Sequence, residues 1–230
     1  MDLSIIIPLY NQGQYLAECL ESVKQNEARK LKQKEIIVVD DCSTDDSFDV
    51  AKSLQDKYDF SLIQTPQNSK LPGARNFALK QATGEFVICL DSDDKLSKNY
   101  IHETHRTIVK KNVDIAYCDS QCFDFKTHRY RWPEFSINLL KRSPFINCSA
   151  MYRKEIWDKV GGYKEDMVYG WEDYEFWVSA CELGYKFKKC NRTELMYRMK
   201  DTGMGAEAAN KHQQEIWQKL KQYHPNFFGV

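Results

Sequence analysis

"LSIIIPLY", residues 3–10, is apolar at almost every position and shows no alternation with polar residues. A strand with one wet face alternates, whereas a strand covered on both faces reads as a continuous apolar run. The stretch therefore predicts a central strand with helices above and below it. The following sequence keeps to that plan. Tyr15, Leu16, Cys19, Leu20 and Val23 recur at helical spacing, and "EIIVVDD" (35–41) is a second apolar run. Ser43 or Thr44 is placed to cap a helix with an acidic first turn, whose apolar stripe is Phe48, Ala51, Leu54 and Tyr58. Next come a short strand "FSLIQ" (60–64) and a loop and helix in "KLPGARNFALKQATG" (70–84), closed by Gly84. "EFVICL" (85–90) is the fourth strand. Four strands joined by helices imply an α/β fold with a mostly parallel central sheet, helices on both faces and right-handed crossovers.

In such sheets ligands bind beyond the carboxyl ends of the strands. "YN" (10–11), "DDCS" (40–43) and "DSDD" (91–94) all fall there. Asp91, Asp93 and Asp94 repel one another unless something cationic sits among them, and oxygen-only ligands suit Mg2+ or Mn2+ rather than zinc. Mg2+ usually keeps phosphate oxygens in its shell, so a nucleoside diphosphate is the expected ligand. The alternative is a solvated acidic turn that caps the next helix. Three polar strand ends in one sheet favour the metal.

The totals bound the answer. The chain of 230 residues has no Pro/Gly/Ser-rich linker, which predicts a single domain. Lys+Arg and Asp+Glu balance at 33 each, so no nucleic-acid footprint is expected. Of eight cysteines only Cys118 and Cys122 are close in sequence, with no second pair to complete a zinc site, so reduced thiols are expected. The start lacks the basic segment and cleavage site of a signal peptide, and no apolar run is long enough to span a bilayer. These features predict a soluble, cytoplasmic protein, or one attached to a membrane surface through a partner.

The second half is less regular. "VDIAYCDS" (113–120) predicts a strand, and 129–153 gives no clear period. "EDYEFWVSACELG" (172–184) predicts a helix with Phe176, Ala180 and Leu183 on one face and Gly184 at its end. A last amphipathic helix carries Ile216, Trp217, Leu220 and Tyr223 and stops at Pro225. It is a candidate dimer contact or a cover for the domain. Glu172 and Asp173 read either as helix-start acids or as a catalytic pair, and the helix dipole there favours an ionised carboxylate.

Taken in series, "SIIIPLYNQGQYLAECLESV", "EIIVVDDCSTDDS", "PGARNFALKQATGEFVICLDSDD", "VGGYKED" and "GWEDYEFW" resemble the family 2 glycosyltransferases, over Leu3 to about Tyr197. The resemblance implies the GT-A fold, a Rossmann-like nucleotide-diphospho-sugar transferase. It implies an inverting transfer of a sugar from a nucleotide-diphosphate donor, UDP-linked by family precedent, to an acceptor hydroxyl. The acceptor would be a polysaccharide, a lipid-linked glycan or a protein. Pro8 and Tyr10 would line the base pocket, and Asp41, with Asp40 beside it, would bind uracil or ribose. Arg75 would approach the base or diphosphate. Asp93 would contact metal and ribose, with Asp91 and Asp94 sharing the Mn2+ or Mg2+ or holding the loop. Asp173 corresponds to the catalytic base. Residues 1–95 would form the nucleotide half, 96–205 the acceptor and catalytic-base half, and 206–230 a C-terminal helix.

The pattern departs in two places. Lys200 stands about where many members place a metal-binding histidine. A charged lysine does not ligate, but it can contact the diphosphate, and Asp201 is a substitute ligand to consider. Ser179 stands where an arginine is common. Glu172 and Trp171 are further candidates for diphosphate or acceptor contacts, and Tyr169, Trp132 and Trp171 for stacking on sugar. Rival readings are an inactive nucleotide-binding partner of another transferase and a nucleotidyltransferase. A dinucleotide dehydrogenase is a weaker rival still, because "LYNQGQYL" contains no G-x-G-x-x-G.

Overall fold

In the computed structural model, which describes residues 2–26, 31, 33–200 and 211–229, the opening run forms β1 (Leu3–Leu9), buried along its whole length. It pairs in parallel with β2 (Lys34–Asp40) and β4 (Phe86–Cys89), and β2 pairs in parallel with β3 (Ser61–Gln64). The sheet continues through β8 (Met151–Arg153), β6 (Ile115–Asp124), β9 (Phe187–Met199) and β5 (Lys95–Leu96). A short β7 (Arg129–Tyr130) adds to β6. β8, β7 and β5 run against their neighbours, so the sheet is mixed but mostly parallel.

The alternation inside β1 sorts the core into two layers. Leu3, Ile5, Ile7 and Leu9 face α1 (Gly13–Lys24), α2 (Ser47–Tyr58) and α4 (Tyr100–Lys111), through Leu16, Leu20, Ala51, Tyr100 and Ile108. Ile6, Val87 and Cys89 face the other layer. That layer contains α3 (Lys70–Leu79), α5 (Ile137–Leu140), α6 (Lys154–Val160) and α7 (Glu172–Glu182). α8 (Gln213–Tyr223) and α9 (Pro225–Phe228) close over α7, with Ile216, Leu220 and Phe227 buried. The expected halves 1–95 and 96–205 therefore share one sheet, joined where β4 pairs β8 and β5 pairs β9. The front of the expected C-terminal segment, 206–210, lies outside the described residues.

Several sequence expectations change. Gly84 does not end α3, which stops at Leu79. A Cβ there would stand 2.5 Å from the Ser4 backbone nitrogen, so Gly84 is required by close approach to β1, where its N–H donates to Ser4 Oγ at 2.8 Å. Ser43 and Thr44 do not cap α2, because both are committed to Asn11 across the loops. Leu183 falls beyond α7 and is 55% exposed. β9 was not visible as a strand at all. Its register against β6 slips between Cys118 and Asp119, which destroys the period-two signal. All eight cysteines are free thiols.

Candidate active site

The carboxyl ends of β1, β2 and β4, together with the end of β9, enclose a cavity of about 400 Å3. Pro8, Tyr10, Asp41, Asp91, Asp93, Arg198 and Lys200 are among the residues that line it. Sequence reasoning thus brought residues from four distant segments to one place. Asp41 is fixed by Thr65 Oγ1, Ser69 N and Ser69 Oγ, each donating to Oδ1 at 2.8 Å. Its other oxygen has no such commitment, which leaves Asp41 able to accept from a base or ribose. Asp40 is different. It is fully buried beneath the cavity, and its Oδ2 accepts from Gln64 Nε2 at 2.8 Å and Ser43 N at 3.2 Å. Asp40 shapes the loop and does not line the cavity.

Arg75 does not line the cavity either. It projects from α3 into the protein, 1% exposed, and joins two elements: Nη2 donates to Asp91 Oδ1 at 2.7 Å and Nη1 to Glu172 Oε1 at 2.5 Å. Burial opposes its charge, but Asp91, Cys148 and Glu172 raise its pKa well above normal. The neighbouring Asn76 anchors the loop before α7. It donates to Tyr163 O at 2.9 Å and accepts from Tyr163 N at 2.9 Å and Trp157 Nε1 at 3.0 Å. Gly162, at φ +81°, makes room for this: a Cβ there would meet Asn76 Oδ1 at 2.9 Å. The "GARN" and "VGGY" stretches are thus two sides of one joint, which holds the start of α7 against β4.

Asp173 sits in the first turn of α7, half-buried, with Oδ1 accepting from Tyr174 N at 2.8 Å. The helix dipole alone favours an ionised group there. The surroundings win instead: burial, then repulsion from Glu172, push Asp173 up to about 7, against the pull of Arg75. Glu172 is buried on Arg75, and its carboxylate is spent holding that guanidinium. Trp171 packs edge-on against Tyr174 and Trp217, Tyr169 stacks on His212, and Trp132 stacks on Tyr130, so each of these rings has a protein partner. Ser179 donates to Glu175 at 2.9 Å, within the α7–α8 packing.

The acidic run is neutralised by the protein itself. Asp91 is held by Arg75, Asp93 Oδ2 lies 2.5 Å from Lys200 Nζ, and Asp94 is buried with Oδ1 accepting from Arg198 N at 2.8 Å. Burial, then Asp91, raises Asp93, although Lys200 pulls the other way. Burial, then Asp93 and Asp91, hold Asp94 well above the usual carboxylate range. Among the described residues no three His, Cys, Asp or Glu side chains converge on a common cation position. Of the carboxylates expected to hold Mn2+ or Mg2+, Asp91 and Asp93 are thus arranged around protein cations and Asp94 around a backbone N–H, and among the described residues this set does not fit a divalent ion. Asp201 lies outside the described residues.

Arg198 was missed by sequence reasoning. Its guanidinium lies over Tyr15 and Phe123, at 4.4 and 4.5 Å, and pairs with Asp124 at 2.6 Å and Glu18 at 3.0 Å. It ties β9 to α1 and β6 beneath the acidic turn. The signal was a lone arginine in "MYRMK", which says nothing until β9 is known to pass the site.

The cavity lies beyond the carboxyl ends of a mostly parallel sheet, where α/β proteins bind ligands, and Asp173 does not line it but is joined to its wall through Glu172, Arg75 and Asp91. The sequence model for glycosyl transferase family 2 matches residues 4–176, and the chain belongs to that family of glycosyltransferases. The poly(ribitol-phosphate) beta-N-acetylglucosaminyltransferase TarS of Staphylococcus aureus is 38% identical over 116 residues, covering 50% of this chain and 20% of TarS. The poly(ribitol-phosphate) beta-glucosyltransferase of Bacillus spizizenii is 44% identical over 118 residues, 50% of this chain and 18% of that protein. The matched segments cover half of this chain and about a fifth of the length of each relative. The crystal structure of TarS 1–349 with UDP-GlcNAc shares the fold at TM-score 0.82 and 22% identity, covering 98% of this chain and 67% of TarS 1–349. The mannosyltransferase PcManGT of Pyrobaculum calidifontis, in complex with GDP-Man and Mn2+, does so at 0.76 and 19%, covering 96% of this chain and 64% of PcManGT. The fold is GT-A. No helix among the described residues is long and apolar enough to cross a membrane.

Proposed function

We propose that this chain transfers a hexosyl or N-acetylhexosaminyl group from a UDP-linked donor to a glycan, lipid-linked or protein hydroxyl, with inversion at the anomeric carbon. The observation that carries this reading is Asp173, a carboxyl raised to about 7 and linked to the cavity through Glu172, Arg75 and Asp91. A general base works best with a pKa near the operating pH, and this one is tuned by burial and a fixed neighbour. Asp173 takes the acceptor proton as its oxygen attacks the anomeric carbon from the side opposite the diphosphate. The C–O bond to the diphosphate breaks as the new one forms, so none of the cysteines is needed as a nucleophile. Pro8, Tyr10, Asp41 and Lys200 all line the cavity, which supports a reading in which Pro8 and Tyr10 flank the base, Asp41 accepts from it or from ribose, and Lys200 meets the diphosphate. The UDP preference is supported by the donor bound in TarS, and PcManGT with GDP-Man supplies the contrast.

The test is release of nucleoside diphosphate from UDP-GlcNAc, UDP-Glc and GDP-Man by the purified chain, with and without candidate acceptors. A UDP-linked donor should be turned over, and the product of transfer should carry the anomeric configuration opposite to the donor. Retained configuration would overturn the direct displacement. Turnover of GDP-Man alone would overturn the donor class.

A further inference from the structure

The contact between Lys200 and Asp93 carries more than a surface ion pair. Asp93 Oδ2 and Lys200 Nζ are 2.5 Å apart, both residues line the cavity, and their side chains are only 16% and 22% exposed. A divalent ion bound to Asp93 would sit about 2.0–2.2 Å from a carboxylate oxygen. That is the space the ammonium fills, and two cations cannot share it. The adjacent carboxylates are engaged as well, since Asp91 Oδ1 holds a fully buried Arg75, Asp91 Oδ2 receives the Cys148 thiol at 3.6 Å and Asp94 Oδ1 receives the Arg198 N–H. An ammonium has three donors. Asp93 uses one, and the Tyr15 ring, 5.2 Å from Nζ, backs the group on another side. Among the described residues no further partner takes its remaining donors, which are available to an anion in the cavity.

We propose that Lys200 is the resident counter-cation of this site, bridging Asp93 to the diphosphate, so that a nucleoside diphosphate binds here without a divalent metal. The inference rests on reading the cavity as a nucleoside-diphosphate site. Lys200 acts as a point charge, held by Asp93 and supported on Tyr15. It replaces the electrostatic part of a metal's role at the leaving group.

The experiment is calorimetric titration of UDP into the full chain in EDTA and in Mn2+, for the wild type, Lys200→Met and Lys200→Arg, with melting curves confirming that each variant is folded. The wild type should bind UDP with affinities within about threefold of each other in the two conditions. Lys200→Met should bind at least about tenfold more weakly in EDTA, the size of one charge-assisted contact. Mn2+ should restore part of that loss, because the substitution frees Asp93. Lys200→Arg should stay close to wild type in EDTA. Wild-type binding that appears only with Mn2+ would overturn the role of Lys200 and leave the nucleotide site standing. So would unchanged binding by Lys200→Met in EDTA. Absence of UDP binding in either condition would overturn the site reading and this inference with it.

Discussion

At the scale of single residues, two carboxylates adjacent in sequence have opposite fates. Glu172 is paired with a buried guanidinium, while Asp173 is raised to about 7, by burial first and then by that same carboxylate. Asp173→Asn should lower turnover by about 10²–10⁴-fold, the range for a lost general base, and leave UDP affinity within about threefold. The sign on stability is the reverse of the usual acid. The native state holds a proton on Asp173 between the ordinary carboxylate value and about 7, so this group makes the fold less stable as pH rises through that window. Asp173→Asn should accordingly melt higher than wild type at pH 8, with the difference shrinking towards pH 4. Arg75 carries the opposite risk. Arg75→Met leaves Glu172 buried and both partners without a cation, and should cost about 3–5 kcal/mol in denaturant unfolding. Arg75→Lys should not restore it, because one ammonium cannot reproduce the fork that spans Asp91 and Glu172.

At the scale of elements, α7 is the part that joins chemistry to architecture. Its first turn is tied to the cavity wall through Arg75 and Asp91, and its later turns are pinned by α8 and the residue that ends it. His224 contacts Glu182 Oε2 at 2.6 Å through Nδ1 and Glu175 Oε1 at 3.0 Å through Nε2, and Glu175 is fully buried. Burial opposes the imidazolium, but both glutamates outweigh it and raise the pKa above 6.5. The latch therefore contributes fully below that value and is lost as pH rises through the folded pKa. His224→Gln should cost about 3 kcal/mol at pH 6 and progressively less towards pH 9, measured as denaturant midpoints across that range. Elements also explain what could be read in advance. β1, β2 and β4 are covered on both faces, and their unbroken apolar runs announce it. β9 has buried positions at Phe187, Cys190, Thr193, Leu195 and Arg198, a sequence of threes and twos produced by the register slip against β6. No period survives to be found.

At the scale of the whole molecule, the topology was legible because alternating strands and helices allow few arrangements, and the strand ends then locate the ligand. Asp41, Asp91 and Asp93 were singled out in that way and Lys200 through the family resemblance, and all four line one cavity. What sequence left hidden was long-range pairing. Nothing local says that Arg75 reaches Glu172 or that Lys200 returns to Asp93, because each contact closes about a hundred residues of intervening chain. Those pairings decide which carboxylates line the cavity and which are buried beside it. Asp40 and Asp94 look like site residues in one dimension and are buried supports in three. A consequence can be measured on the whole chain: Asp93→Asn should weaken UDP binding by releasing Lys200, whereas Asp40→Asn should act mainly on the melting temperature.

The central claim is that Asp173 is the base of a sugar transfer, and its most direct test is the pH profile of UDP release from a UDP-sugar by wild type and Asp173→Asn, with UDP affinity measured alongside. The wild-type rate should rise through a midpoint about 7, the variant should be at least a hundredfold slower and lack that rise, and the affinities should match. A variant that turns over like wild type, or a wild-type profile flat from pH 5.5 to 9, would contradict that claim.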